Sequence, residues 1–222
     1  MVRFPMIATA RAIGVAVSAL VLIWALHFRG GLSLSSLTNK DLIFNVHPVL
    51  MVIGFILFNG EAMLAYKTVS GTKSFKKAVH LTLQSVAFCL SSIGVCSSHP
   101  SASILLNGSE FSAELAAGFS TFWYPGGSVS RRAALLPWHV FLGIYIYALA
   151  IASATTGILE KATFLQQNLV ITHFSNEALL LNSLGMLIVI LGGCVILAVV
   201  TPMNGKGDTY RPMDYTVQRS VV

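Results

Sequence analysis

The sequence predicts an all-α integral membrane protein built as a six-helix bundle. Of its 222 residues, 55% are hydrophobic and only 10% are charged, whereas a soluble domain carries about 25% charged residues. The mean hydropathy is +0.76. This composition excludes a soluble globular protein, and it also excludes disordered, collagen-like and coiled-coil classes. The remaining class is a chain whose helices cross a bilayer.

Five apolar runs are long enough to cross, because a helix needs roughly 20 residues to cover about 30 Å of hydrocarbon. They are Ala12 to Phe28, Val46 to Tyr66, Ala78 to Val95, Pro137 to Leu159 and Ala178 to Val200. The first run lacks the small residues of a cleavage site and is predicted to remain as a span. A sixth stretch, Ile104 to Tyr124, is the least apolar, because Asn107, Glu110 and Glu114 interrupt its first half.

The basic residues favour a crossing by this sixth stretch. With six spans, both termini and two loops share one side, and eleven Lys and Arg residues lie there: Arg3, Arg11, Lys67, Lys73, Lys76, Lys77, Arg131, Arg132, Lys206, Arg211 and Arg219. Only Arg29, Lys40 and Lys161 lie on the other side. Because cytoplasmic loops collect basic residues, both termini are predicted to be cytoplasmic. This bias also accounts for the net charge of +6, so no nucleic-acid partner is predicted.

The chain is interpreted as one transmembrane domain, residues 1–222, with its core at about residues 11–202 and a cytoplasmic tail at residues 203–222. Aromatic rings near predicted helix ends suit the membrane interface, and they belong to Trp24, Tyr66, Trp123, Tyr124 and Trp138. Three glycines of the last span would allow close helix contact, namely Gly185, Gly192 and Gly193. Three cysteines without metal-type spacing are interpreted as small core residues: Cys89, Cys96 and Cys194.

Three histidines occupy the first turn of a predicted span: His47, His80 and His139. The helices that carry His80 and His139 both start on the cytoplasmic side, so the two imidazoles are expected at equal depth. Such a pair suits a b-type haem, whose iron takes one neutral imidazole on each face. The sequence contains no Cys-x-x-Cys-His motif, which excludes covalent c-type attachment. The alternative is a set of interfacial histidines bonded to backbone carbonyls.

His47 lies at the opposite face and lacks an evident partner. Only His99 stands on the correct side, and it precedes Pro100, which favours an extended chain. His99 is therefore a candidate ligand, with a solvated loop histidine as the alternative. His27 and His173 are interpreted as interfacial residues.

Charged residues near the histidines leave several interpretations open. A basic cluster would hold haem propionates or an anionic reductant, or would only anchor the cytoplasmic side; it comprises Lys73, Lys76, Lys77, Arg131 and Arg132. Lys73 and Lys77 share a helix face if the third span extends beyond the membrane. Glu61 is an intramembrane carboxylate with three possible roles: proton handling, orientation of a haem ligand, or hydrogen bonding at a helix end.

The sequence resembles the cytochrome b561 family, and in detail its plant members, which are ascorbate-dependent transmembrane electron carriers. The resemblance rests on His27-Phe28-Arg29-Gly30-Gly31, Phe44-Asn45-Val46-His47-Pro48, Asn59-Gly60-Glu61-Ala62-Met63-Leu64-Ala65-Tyr66-Lys67, Lys76-Lys77-Ala78-Val79-His80, Trp123-Tyr124-Pro125-Gly126-Gly127 and Pro137-Trp138-His139. It covers about Arg11 to Pro202, except Cys96 to Leu115. It implies six helices, two b haems within the central four, and a homodimer.

The resemblance also implies residue roles. His80 and His139 would ligate the cytoplasmic haem, and His47 would ligate one face of the other haem. Residues that match the ascorbate-binding positions of the family are Lys73, Lys77 and Arg132, with Tyr124 nearby. Electrons would pass from cytoplasmic ascorbate through haem to monodehydroascorbate or ferric chelates across the bilayer. The plant relatives suggest a vacuolar or other endomembrane location.

The stretch from Cys96 to Leu115 departs from the family pattern. It is shorter, and the family carries its fourth haem ligand and its outer substrate site there. The fourth helix is therefore expected to be incomplete, with one haem secure and the second doubtful. The alternative function is a degenerate or one-haem membrane subunit without complete transmembrane transfer. A small-molecule transporter is a third hypothesis, although the second and fifth spans lack paired Gly/Pro breaks.

Overall fold

The structure, a computed structural model, describes residues 5–34, 40–98, 116–123 and 128–202, and these residues form helices and turns without strands. Seven α-helices are described in chain order: α1 (Met6–Ile23), α2 (Lys40–Phe44), α3 (Val46–Leu50), α4 (Asn59–Thr68), α5 (Lys73–Ser98), α6 (Val129–Gln167) and α7 (Asn176–Val200). Wider π-helical turns occupy Trp24–Phe28, Met51–Phe58 and Phe119–Trp123. The all-α prediction is confirmed.

Five helical stretches of the described part are long and apolar enough to cross a membrane. They are Met6–Phe28, Asp41–Thr68, Lys73–Cys96, Val129–Gln167 and Asn176–Val200. These stretches contain the five predicted apolar runs. Most of the predicted fourth span, Ile104 to Tyr124, lies outside the described residues. Of this span the structure describes residues 116–123, which are helical.

The helices extend beyond the apolar runs, which corrects two predicted loops. The sequence predicts a loop from Lys67 to Val79, but only residues 69–72 lie outside helices, because α4 continues to Thr68 and α5 begins at Lys73. Arg131 and Arg132 lie in the first turn of α6 rather than in a loop. Helix α6 has 39 residues, about 58 Å of rise, so it is much longer than a bilayer is thick. Hydropathy detects only the apolar part of such a helix.

Helix α7 packs against α1 and α6, while α5 packs against the span that contains α3 and α4. The buried side chains of α7 recur every three or four residues, which gives one continuous face; they include Leu181, Leu184, Ile188, Leu191 and Val195. Among the three glycines predicted to allow close contact, only Gly192 is tightly packed. A Cβ atom there would lie 2.7 Å from Ile151 Cγ1, whereas Gly185 and Gly193 have open space.

A buried polar cluster joins the end of α1 to the start of α7. Glu177 accepts a hydrogen bond from Trp24 Nε1 at 2.9 Å and pairs through its second oxygen with Arg29. Asn45 Nδ2 donates to the carbonyl oxygens of Arg29 and Gly31, both at 3.0 Å. Trp24 stands near the end of the first span, as predicted, but it is 2% exposed and therefore packs inside the bundle. Its indole N–H is satisfied by a buried carboxylate instead of by water.

The three cysteines are free thiols. Cys89 and Cys96 are exposed on α5, and Cys194 on α7 is half-buried. Their interpretation as core residues is therefore wrong for Cys89 and Cys96.

Candidate functional site

The structure brings His80 and His139 together. Their ring centroids are 6.2 Å apart and the rings are nearly perpendicular, at 77°. His80 belongs to α5 and His139 to α6. Each lies deeper along its helix than the first turn that was predicted, because α5 begins at Lys73 and α6 at Val129. The predicted convergence of two imidazoles from two helices is thus present in the fold.

Backbone carbonyls orient His47 and His80. His80 Nδ1 donates to the carbonyl oxygen of Ala62 at 2.8 Å, and His47 Nδ1 donates to that of Gly94 at 3.0 Å. Each histidine is therefore anchored on the backbone of the neighbouring span. A carbonyl oxygen can only accept, so in each ring Nδ1 carries the proton and Nε2 keeps its lone pair. This tautomer is the one that binds a metal through Nε2.

The two anchored histidines lie at opposite ends of the bundle. Gly94, the residue that anchors His47, lies fourteen positions after His80 on α5. This distance corresponds to about 21 Å of helix. We call the region around His80 and His139 the His80 end, and the region around His47 and Gly94 the His47 end.

Aromatic side chains and a glycine surround the histidine pair. The ring of Phe122 lies 5.1 Å from that of His139, and Tyr66 lies 5.8 Å from His80, measured between centroids. A Cβ atom on Gly118 would lie 3.5 Å from His139 Cε1, so this backbone approaches the imidazole closely. The apolar rings lower the local polarity around His80 and His139.

A basic cavity of about 460 Å³ lies beside this pair, lined by Tyr66, Lys73, Ser74, Lys76 and Lys77. Because α5 begins at Lys73, both Lys73 and Lys77 belong to this helix. They are four residues apart and therefore lie on the same helix face, as predicted. Lys76 Nζ donates to the carbonyl of Tyr66 at 3.3 Å, and Lys77 Nζ lies 5.0 Å from the centroid of the Trp123 ring. Three ammonium groups at one opening create a site for an anion.

Other predicted site residues are not gathered into this cavity. Arg132 lies in the first turn of α6, outside the described lining. Tyr124 and His99 fall outside the described residues. His27 and His173 are exposed, as expected for interfacial residues, and His27 packs edge-on against Phe28.

Glu61 forms an ion pair that the sequence did not reveal. Arg11 Nε and Nη2 donate to its two carboxylate oxygens at 2.9 and 2.8 Å. Glu61 therefore does not orient His80, because the carbonyl of the adjacent residue Ala62 accepts that bond. Sequence reasoning also missed Ala62, Gly94 and Phe122. A carbonyl partner carries no side-chain signal, so only the fold could identify it.

The histidine pair fits a haem iron. Two imidazoles that bind one metal from opposite faces, each at about 2 Å, place their centroids roughly 6 Å apart, which agrees with the separation of His80 and His139. The fixed tautomer of His80 supplies the required Nε2 lone pair. Fold and site thus define a multi-pass membrane protein able to hold a metal cofactor between helices.

Comparison with known proteins identifies the family. The family model for eukaryotic cytochrome b561 matches residues 46–104 and 105–165. The chain is 60% identical over 217 residues to transmembrane ascorbate ferrireductase 2 of Arabidopsis thaliana, which covers 91% of this chain and 94% of the relative. It is 36% identical over 215 residues to ascorbate-specific transmembrane electron transporter 2 of Zea mays, with 90% of each chain covered. The chain belongs to the eukaryotic cytochrome b561 family, a family that implies b-type haem.

Proposed function

We propose that this protein is an ascorbate-dependent transmembrane oxidoreductase that moves electrons from cytoplasmic ascorbate to monodehydroascorbate or ferric chelates on the other side. The observation that carries the proposal is the His80–His139 pair, 6.2 Å apart and beside a basic cavity. The names of the relatives, which include an ascorbate ferrireductase and an ascorbate-specific electron transporter, support it. They do not favour the alternative of a degenerate membrane subunit.

We propose that the imidazoles of His80 and His139 would hold a b haem at the cytoplasmic side. When bound, this haem supplies a one-electron redox centre. The Ala62 carbonyl holds the His80 ring in the ligating tautomer and in a fixed orientation. Phe122 packs against His139 and keeps water from that side of the ring.

Lys73 and Lys77 are proposed to bind ascorbate, which is an anion at neutral pH. Their ammonium groups line one cavity with Tyr66 and Lys76, so two charge-assisted hydrogen bonds are available to the ring oxygens of the reductant. The contact of Lys77 with Trp123 restricts the lysine side chain. Arg132 and Tyr124 are proposed to approach the same anion from the start of α6 and the end of the fourth span.

His47 is proposed as one ligand of a second haem on the non-cytoplasmic side, with its ring held by the Gly94 carbonyl. The two segments of the family match meet between residues 104 and 105, inside the stretch that the sequence predicts to be shortened. His99 is the candidate for the opposite ligand. We further propose a homodimer in a vacuolar or other endomembrane, with both termini cytoplasmic.

The first experiment measures haem per polypeptide by pyridine haemochrome, together with the ascorbate-reduced minus oxidised spectrum of the purified protein. One or two haems with an ascorbate-reduced b-type spectrum would support the proposal, and the number decides whether the His47 site is filled. Absence of haem from folded protein would contradict it.

A second experiment tests the reductant site with Lys77→Ala and Lys73→Ala. Loss of one charge-assisted hydrogen bond should raise the KM for ascorbate about tenfold, with little change in haem content. Lys161→Ala is the matched control, because Lys161 lies over Phe44 and Phe164, outside the basic cavity. If Lys73→Ala and Lys77→Ala had the same KM for ascorbate as Lys161→Ala and the unaltered protein, the proposed ascorbate site would be excluded.

A further inference from the structure

A second cavity of about 320 Å³ lies between α1, α4, α6 and α7 and shares no lining residue with the basic cavity. We call it the Tyr147 cavity. Its walls are mostly apolar and include Gly14, Leu57, Leu64, Leu191 and Val195. The rim residue Val15 is 70% exposed, so the cavity opens at the outer surface of the bundle, where α1 faces lipid.

The inner wall of this cavity carries a hydroxyl group that lacks a partner within the described structure. Tyr147 is fully buried, and its phenolic oxygen makes no hydrogen bond to any described residue. Gly60 lets it approach α4, since a Cβ there would lie 3.0 Å from that oxygen. A buried O–H group without an acceptor is costly. The site therefore favours a ligand that supplies an oxygen atom.

The rim supplies the complementary group. Glu61 lines the cavity together with Tyr147, and it directly follows Gly60, the residue that the phenolic oxygen approaches. Its two oxygens already accept from Arg11, but each carboxylate oxygen can accept a further bond. Because Arg11 and Glu61 neutralise each other, the rim has no net charge to attract an anionic headgroup. A ligand hydroxyl can accept from Tyr147 and donate to Glu61 at once.

The orientation of the cavity limits the body of the ligand. Its lining on α1 runs from Ala10 to Ser18, about 12 Å along the helix. The polar end with Arg11 lies near the start of α1, and the remainder leads toward the middle of the span. Ser18 Oγ is satisfied by the Gly14 carbonyl at 2.9 Å, which leaves that part apolar. A rigid apolar body fits such a groove and loses little conformational entropy on binding.

We propose that the Tyr147 cavity binds a sterol, with its hydroxyl group between Tyr147 and Glu61 and its ring system along α1. This lipid site is independent of the proposed ascorbate and haem sites.

The test uses the full-length protein in phosphatidylcholine nanodiscs with a photoactivatable cholesterol as the probe. Saturable labelling is expected, and unlabelled cholesterol should compete about tenfold better than 5-cholestene, which lacks the hydroxyl. Tyr147→Phe should remove this preference for the hydroxyl, whereas Tyr145→Phe, on the exposed side of the same helix, should retain it. Val15→Trp should fill the mouth and abolish saturable labelling.

Three results would overturn the proposal. One is labelling by the photoactivatable cholesterol that does not saturate, which would show that the cavity has no specific site for a sterol. Another is equal competition by cholesterol and 5-cholestene on the unaltered protein. The third is displacement by phosphatidylinositol as effective as displacement by cholesterol, which would indicate an anionic lipid. Circular dichroism and gel filtration verify that each variant is folded, and the comparison of competitors needs no variant.

Discussion

The His80 end and the His47 end use the same anchoring bond but differ in what surrounds it. At each end a histidine donates Nδ1 to a carbonyl of the neighbouring span. At the His80 end a second imidazole lies 6.2 Å away and a basic cavity adjoins it. At the His47 end the described neighbours include Phe44, whose ring lies 6.2 Å away, and the buried cluster around Glu177, which Asn45 joins.

This difference indicates that the His80 end and the His47 end are formed by different segments of the chain. The His80 site is built by α4, α5, α6 and the turn Phe119–Trp123, and all four are described. His99, the proposed partner of His47, belongs to the segment after α5, where the sequence is predicted to depart from the family pattern. A change there can alter the His47 site while the His80 site, about 21 Å away along α5, remains assembled.

The largest expected effect comes from His80→Ala. Without one of the two imidazoles proposed to hold the haem, the variant should lose one haem per chain and its ascorbate-reducible absorbance at the His80 end. Pyridine haemochrome and difference spectra measure both. The control variant is His173→Ala, because His173 lies in an exposed turn. It should retain the full haem content. A normal bis-imidazole spectrum in both His80→Ala and His139→Ala would refute the proposal that these residues bind haem. The His80 end would then no longer differ from the His47 end in holding a haem.

Stability should depend more on the buried ion pair of the His47 end than on the exposed pair near the other end. Arg29→Ala leaves Glu177 charged and buried, which should cost about 3–5 kcal/mol of unfolding free energy. Arg11→Ala breaks a pair whose side chains are 52% and 37% exposed, so the loss should be about 0–1 kcal/mol. Thermal unfolding in one detergent compares them. Equal midpoints would mean that the Glu177 cluster is not stabilising.

Two glycine substitutions compare the packing behind each histidine. A Cβ on Gly94 would lie 3.1 Å from Leu50 Cβ, so Gly94→Ala should displace α5 from α3 and destabilise by about 1–3 kcal/mol. Gly118→Ala has ordinary contact distances to His139 and should be nearly neutral. The haem content and the midpoint of thermal unfolding are measured for both variants and for the unaltered protein. A larger effect at Gly118 would reverse the predicted order.

The smallest effect is expected at Lys67, which joins α4 to the end of α7. Its Nζ donates to the carbonyls of Ala198 and Thr201, both at 2.7 Å, and also to that of Val199. These are carbonyls that a helix end leaves without helical partners. Lys67→Ala should cost about 1 kcal/mol. Lys76→Ala, which removes one bond of 3.3 Å, should cost less, and an equal loss would contradict the role assigned to Lys67.

Several parts of this structure could be predicted from the sequence because they depend on local properties. Apolar runs locate the five described spans, and the length needed to cross a bilayer is a constant of the membrane. The pairing of His80 with His139 follows from helix direction and depth alone. Helix ends were less predictable, because a charged helix such as the start of α6 carries no hydropathy signal.

The sequence by itself determined the class of protein, the helical class of its spans, the family and the histidines that define the two ends. Tertiary structure alone decided the partners: the Ala62 and Gly94 carbonyls, the Glu61–Arg11 pair and the burial of Trp24 against Glu177. The physical reason is that apolar length and spacing are properties of one helix. Hydrogen-bond partners depend on how two helices rotate and slide against each other, and in lipid that arrangement is set by close packing.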